Sequence, residues 1–131
     1  MHDDHDARRP DARRALGAEG EARAAALLEA RGYRIVARNV RADGVEMDLV
    51  VARAGLVAFV EVKTRRSRRG GAPEEAVDTR KRVRLVRAAS AWLRAHGAGV
   101  RRVRFDVVAC EQGPDGTWRL RHWEGAFDAG D

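Results

Sequence analysis

Lysine is almost missing from this chain, and cysteine, proline and aromatic residues are scarce. Two lysines stand against 24 arginines, with one cysteine, three prolines, three tryptophans, three phenylalanines and one tyrosine. A lone Cys110 rules out an internal disulfide framework; its strand-like setting reads as a small buried hydrophobe with no catalytic partner in view. No apolar run approaches the roughly 18 residues needed to span a membrane. The opening Met1-His2-Asp3-Asp4-His5-Asp6 is polar and mixed in charge, unlike a signal peptide. A cytoplasmic protein without membrane contact is the expectation. The 131 residues suffice for one core and not two, and 44% hydrophobic with 35% charged residues is the composition of a folded domain.

Arginine, alanine and glycine (24, 24 and 13 residues) dominate what is present. A GC-rich coding sequence would produce this bias, which makes any single arginine weak evidence of function and gives weight to Lys63 and Lys81. Charge is also segregated. Residues 63–104 contain 14 basic and three acidic residues, a balance of +11, while the whole chain is +6, so the remainder is −5. Such polarity suits a polyanion such as nucleic acid, with a merely solvated basic face as the alternative.

The layout reads α-β-β-β-α-β-β. Residues 1–12 are expected to form a disordered tail, 13–127 a single domain, and 128–131 a short C-terminal tail. Leu16, Gly20, Ala24, Leu27 and Leu28 recur at helical spacing from about Arg13, and Gly32 is a natural stop. Tyr33–Asn39 alternates as a strand, and Asp43-Gly44 marks a turn. Val45–Ala52 and Leu56–Thr64 form a hairpin around Ala54-Gly55. Arg65–Pro73 reads as a basic loop. Asp78 or Thr79 can cap a second helix that ends at His96 before Gly97. Its apolar stripe is Leu85, Val86, Ala89, Trp92 and Leu93, with Arg80, Arg84, Arg87 and Arg94 opposite. Val103–Cys110 and Thr117–Trp123 complete the strands. A mixed sheet flanked by helices is the economical α/β arrangement.

The chemistry concentrates in the hairpin, because charges inside apolar strands are costly to bury. With Ala54-Gly55 as a two-residue loop, cross-strand partners sum to 109 and Asp48 falls opposite Glu61. Lys63 lies two residues beyond Glu61, on the same face. Two facing carboxylates repel unless a cation lies between them, which fits Mg²⁺, or Mn²⁺ in its place. The cation would activate water and offset charge on a phosphodiester, with Lys63 positioning the water or meeting developing negative charge. A surface Glu61–Lys63 pair with a solvated Asp48 is the alternative. A one-residue register slip would put the two carboxylates on opposite faces.

Two helix residues fit around this hairpin. Glu19 has Arg23 as an i,i+4 partner, whereas Glu21 lacks one and borders the apolar face, as a third carboxylate for the metal or an exposed helix acid. Lys81 flanks the core stripe of the second helix and could reach a phosphate, or simply snorkel to solvent. His96 and His122 read as surface or capping residues. Trp92, Trp118 and Trp123 read as packing aromatics, and Asp106 as a structural hydrogen-bonding group.

Five ordered motifs, Gly17-Ala18-Glu19-Gly20-Glu21-Ala22-Arg23-Ala24, Gly32-Tyr33 with Arg38-Asn39-Val40-Arg41, Val45-Glu46-Met47-Asp48-Leu49-Val50, Phe59-Val60-Glu61-Val62-Lys63-Thr64-Arg65 and Arg104-Phe105-Asp106-Val107-Val108, resemble the YraN family. These are small bacterial proteins of uncharacterised role, grouped by name with endonucleases. The resemblance covers about residues 15–127. That family is similar to the restriction-endonuclease-like PD-(D/E)XK nucleases, and within them to archaeal Holliday junction resolvases. One departure is Val45, where the family usually has the glycine of its G-E-x-D motif; here Gly44 comes one step earlier. The resemblance implies a restriction-endonuclease-like mixed sheet and Mg²⁺-dependent phosphodiester hydrolysis. Asp48, Glu61 and Lys63 would be catalytic, and Glu21, Asp48, Glu61 and Val62 would form the metal set.

The expected function is therefore a metal-dependent endonuclease acting on DNA, with branched DNA as a candidate substrate. Arg65, Arg66, Arg68, Arg69, Arg80, Lys81, Arg84, Arg87 and Arg94 would engage phosphates. Cutting a four-way junction symmetrically would call for a homodimer. The rival expectation is a nucleic-acid-binding module that keeps the fold without turnover.

Overall fold

A computed structural model describes residues 2–67 and 78–128, with side chains described from residue 11 onward. The element order is α1 (His2–Ala30), β1 (Arg34–Ala42), β2 (Val45–Arg53), β3 (Leu56–Arg66), α2 (Thr79–His96), β4 (Arg102–Gln112) and β5 (Trp118–Phe127), the order read from the sequence. The five strands form one mixed sheet in the order β1-β2-β3-β4-β5, antiparallel except for the β3–β4 pair. α2 lies between β3 and β4 in the chain, the crossover that two adjacent parallel strands require. Arg68, Arg69, the glycines of the basic loop and most of the C-terminal tail lie outside the described residues.

α1 begins at His2, well before the start near Arg13 expected from periodicity, so helix replaces the expected tail over most of residues 2–12. The apolar stripe begins only at Leu16, and the polar run before it, with four aspartates and Pro10, gives no periodic signal of its own.

Alternation along the strands divides the core between the two helices. Leu49, Val51, Ala58, Val60, Val108 and Cys110 face α1, where Ala24, Ala25 and Leu28 are buried against them. Val50, Val57, Phe59, Phe105 and Val107 face α2 and meet Leu85, Ala88, Ala89 and Trp92. Phe59 sits edge-on to Trp92 and stacks with Phe105, which stacks in turn with Phe127. Burial of Cys110 pushes its thiol up to about 11, which makes it inert as a nucleophile at neutral pH.

Two tight turns set the strand registers. Asp43-Gly44 and Ala54-Gly55 each place two consecutive residues at positive φ (51° and 74°; 50° and 81°), the conformation of a two-residue hairpin turn whose twist matches the strands. β2 and β3 then pair from Arg53↔Leu56 to Leu49↔Val60, every pair summing to 109 as expected. There the ladder stops. β3 continues alongside β4 as far as Arg66↔Gln112, while Met47, Glu46 and Val45 remain paired with β1. The two arms of the hairpin diverge, and Asp48 stands at the fork.

A second polar centre fastens the far strands to the end of α1. Asp106, 1% exposed, accepts two hydrogen bonds from Arg104 (both 2.8 Å), one from His122 Nε2 (2.7 Å) and one from the Gly125 amide (3.0 Å). Arg104 also donates to the Tyr33 hydroxyl, which donates to Glu124 at 3.1 Å. These donors hold the Asp106 carboxyl below its ordinary value against the opposing effect of burial. Asp106 thus has the structural role expected of it. His122 does not lie at the surface as expected: its side chain is fully buried, with Nδ1 3.0 Å from an Arg31 guanidinium nitrogen. That arrangement makes Nδ1 the acceptor and Nε2–H the donor. His96, by contrast, is exposed and contacts the Trp92 carbonyl near the end of α2, as expected.

This packing makes two substitutions informative. Asp106→Asn removes the charge that compensates Arg104, and should lower unfolding free energy by about 3–5 kcal/mol in urea titrations; a change below about 1 kcal/mol would contradict the buried network. A Cβ on Gly20 would overlap the Thr64 side chain, with Cγ2 only 2.7 Å away. Gly20→Ala should cost about 1–3 kcal/mol, and Thr64→Ala in the same chain should restore part of it.

Candidate active site at the hairpin fork

Glu61, Lys63 and Asp48 are brought together here, although not quite as a ladder pair. Beyond Leu49↔Val60 the Val62 amide no longer meets a β2 carbonyl, and the Asp48 side chain takes it instead: Val62 N–H donates to Asp48 Oδ2 at 2.8 Å. The Asp48–Glu61 pairing expected directly across the strands is therefore replaced by a carboxylate inserted between the diverging arms. A backbone irregularity accompanies this. Asn39, at the position between Arg38↔Leu49 and Val40↔Met47, has φ 48°. Asparagine tolerates that conformation better than most residues. Met47 and Val50 fall in the same core cluster, so strict alternation breaks between them, at Asp48.

Glu61 is 7% exposed and turned toward α2. Lys63 Nζ lies 3.4 Å from Glu61 Oε2, and Lys81 Nζ, from the first turn of α2, bonds the same oxygen. Met47, Phe59, Leu85, Phe105 and Phe127 form an apolar wall beside the carboxylate, around a void of about 10 Å³. Water is thus largely kept from that side, and the two lysines carry the compensation.

These neighbours shift the titration of the group. Burial and the charge of Glu61 push the Asp48 carboxyl up to about 7, opposed by the Val62 amide and Lys81. Glu21 is also raised, first by burial and then by Glu46 and Glu61, with a hydrogen bond to Asn39 opposing. Lys63 is held below the usual lysine range by burial and by Lys81 beside it. Burial alone would lower Lys81 too, but its hydrogen bond and attraction to Glu61 outweigh that and raise it. A carboxyl perturbed by burial beside a like charge and two ammonium groups sets this cluster apart from a solvated surface pair.

The donor set fits a hard divalent cation. Mg²⁺ is commonly held by one or two carboxylates with water completing the shell, and Asp48 with Glu61 supplies two. In a strand the N–H and C=O of one residue face the same edge, so the Val62 carbonyl faces the fork with its amide. Glu21 stands on the periphery, linked to Glu61 and Glu46 through charge. Among the described residues, no three side chains of His, Cys, Asp or Glu converge into a preformed cage.

The basic residues divide into an exposed set and a committed set. Arg80, Arg84, Arg87 and Arg94 lie exposed on α2, as the helical spacing predicts. Arg65 pairs with Glu111 at 3.2 Å, and Arg66 contacts the Gln112 side-chain oxygen at 3.4 Å. Lys81 neither joins the arginine face nor snorkels to solvent; it reaches across to Glu61. Glu19 pairs with Arg23 as expected, and also accepts from the Trp118 indole at 3.0 Å. Sequence reasoning missed the Lys81–Glu61 contact. The available signal was the rarity of lysine itself.

The Asp48 shift makes a pH prediction. Its carboxyl moves from 3.8 to about 7 in the fold. Folding therefore favours the protonated form, and that stability is full below about pH 4 and lost as pH rises through about 7. In EDTA, the parent should lose on the order of 1–2 kcal/mol relative to Asp48→Asn across that window, allowing for partial solvent access. Parallel stability curves for the two proteins between pH 4 and 8 would contradict the shift.

Comparison with known sequences places the chain in a family. The family model for "Uncharacterised protein family UPF0102" matches residues 20–110, a span that includes Glu21, Asp48, Glu61, Lys63 and Lys81. The UPF0102 protein STH1475 of Symbiobacterium thermophilum is 51% identical over 116 residues, covering 88% of this chain and 98% of that protein. A UPF0102 protein of Anaeromyxobacter dehalogenans is 48% identical over 118 residues, covering 90% and 87%. One from Beutenbergia cavernae is 46% identical over 114 residues, covering 87% and 97%. Matched by this family model and by relatives along nearly its full length, the chain belongs to the uncharacterised family UPF0102, which is the YraN family.

Proposed function

We propose that this protein is a metal-dependent endonuclease that hydrolyses DNA phosphodiesters at the hairpin fork. The observation that carries the proposal is the Asp48 carboxylate, raised to about 7 beside Glu61 and held in the fork by the Val62 amide. Asp48, Glu61 and the Val62 carbonyl would hold Mg²⁺ or Mn²⁺, with Glu21 at the edge of the set. A bound divalent cation supplies Lewis-acid activation of water and positive charge opposite the phosphodiester under attack.

The chain's own residues do the rest. Lys63, adjacent to Glu61 and depressed in pKa, holds the attacking water in place and meets negative charge developing on the phosphate. The exposed arginines of α2 bind the nucleic-acid backbone without reading its sequence. A four-way junction would need two symmetric cuts, and hence a homodimer. No helix among the described residues is long and apolar enough to cross a membrane.

A nucleic-acid-binding module without turnover is the second reading. One observation favours it: Lys63 and Lys81 already compensate Glu61, so the carboxylate is tolerable without a cation. A cleavage assay separates the two, using end-labelled four-way junction, flap, duplex and single-stranded DNA with Mg²⁺, Mn²⁺ or EDTA. The nuclease reading predicts cutting that requires metal and falls at least about 100-fold in Glu61→Ala. Salt-sensitive binding with no cutting by either protein would establish the module instead. For either reading, Arg84→Ala with Arg87→Ala should weaken binding to all duplex sequences alike. The salt slope should become shallower by about 0.9 for each phosphate that the variant no longer neutralises.

A further inference from the structure

Lys81 reaches from the first turn of α2 to Glu61 on β3. Arg80, Arg84, Arg87 and Arg94 are exposed, while Lys81 turns toward the sheet. Its backbone is fixed for that purpose. The Asp78 side chain caps the helix by accepting the Lys81 amide at 2.9 Å, and the Asp78 carbonyl accepts the Arg82 amide at 2.9 Å. The cap thus holds Lys81 in place, and the ammonium reaches Oε2 of Glu61, the oxygen that Lys63 also approaches at 3.4 Å.

Two carboxylates in a half-buried fork need positive charge whether or not a metal is present. Lysine suits that purpose better than arginine. Its ammonium is compact and its four-carbon stem lets it withdraw, whereas a guanidinium is broad and prefers to remain bidentate. A chain that fills its other basic positions with arginine has lysine at both places that touch Glu61.

We propose that Lys81 is a tethered counter-cation, which occupies the Glu61 carboxylate in the metal-free protein and competes with the divalent cation for it. The proposal rests on the reading of Asp48 and Glu61 as a metal site. Lys81 is then a positioning residue: it keeps Glu61 in the fork before the metal arrives, and it sets the concentration of metal at which the site fills. Its removal has two consequences of opposite sign. The metal-free fold loses an ion pair and weakens, while the carboxylate is freed and binds metal more tightly. A purely structural lysine would, on removal, weaken both.

The test is calorimetric titration of Mn²⁺ into the full chain, paired with thermal unfolding in EDTA. The proteins are the parent, Lys81→Met, Asp48→Asn and Arg119→Met, the last removing one positive charge from an exposed position on β5. Expected are Mn²⁺ binding in the parent, at least about tenfold weaker binding in Asp48→Asn, and about tenfold tighter binding in Lys81→Met. Arg119→Met should remain within about twofold of the parent. The Lys81→Met melting temperature in EDTA should fall below that of the parent. Unchanged or weaker Mn²⁺ binding in Lys81→Met, with binding still dependent on Asp48, would overturn the counter-cation and leave the metal site standing. Mn²⁺ binding that is absent, or indifferent to Asp48, would overturn the metal site and the counter-cation together. Should Lys81→Met fail to fold, Lys81→Gln retains a hydrogen-bond donor without the charge, and its Mn²⁺ affinity is judged by the same outcomes.

Discussion

Where β2 and β3 part beyond Leu49↔Val60, the Val62 amide loses its strand partner and would otherwise be left unpaired in a half-buried fork. An unsatisfied backbone donor in such a place costs about 1–3 kcal/mol, so something polar must fill the fork. Asp48 does, through a 2.8 Å hydrogen bond. That one bond ties the shape of the backbone to the chemistry of the site. A sheet that stayed fully paired would satisfy Val62 with a carbonyl and leave Asp48 on an ordinary strand face. Because the arms diverge, a carboxylate is drawn inward, close enough to Glu61 to feel its charge.

The electrostatic consequences spread from there. Burial and the charge of Glu61 raise the Asp48 carboxyl, and the apolar wall beside Glu61 limits the help that water can give. Lys63 and Lys81 restore the balance from two directions, one along β3 and one from α2. They differ in kind. Lys63 moves with Glu61 because both belong to one strand, whereas Lys81 belongs to an element that packs against the sheet through Leu85, Ala88, Ala89 and Trp92. The position of α2 on the sheet therefore bears on the charge state of the fork. The exposed arginines on the outward side of the same helix place a nucleic-acid backbone near the site in the proposed function.

Much of this was legible in the residues themselves. The Ala54-Gly55 turn yielded the hairpin register, because two residues at positive φ leave few ways to join two strands. Asp78, Gly97 and the apolar stripe of α2 marked that helix nearly to the residue. The carboxylates and Lys63 stood out because charges inside apolar strands require a reason. Other features were hidden for physical reasons. Strand pairing sums assume a ladder that continues, so they could not show that it ends one pair short of Asp48 and Glu61. The destination of Lys81 depends on how α2 is rotated against the sheet, which local sequence does not encode. The buried Asp106–His122 pair joins β4 to β5 across a bulge, beyond the reach of any periodic pattern. The polar beginning of α1 has no apolar stripe to announce it.

At the centre of the proposed function, Asp48 and Glu61 form one metal-binding unit whose carboxylates are shared between a divalent cation and Lys81. A crystal structure of the full chain grown with Mn²⁺, with its anomalous difference map, tests this most directly. Expected is one strong peak in the fork, within bonding distance of Asp48 and Glu61, with the Lys81 ammonium withdrawn from Glu61. A map with no peak there at saturating Mn²⁺, and Lys81 still on Glu61, would contradict it.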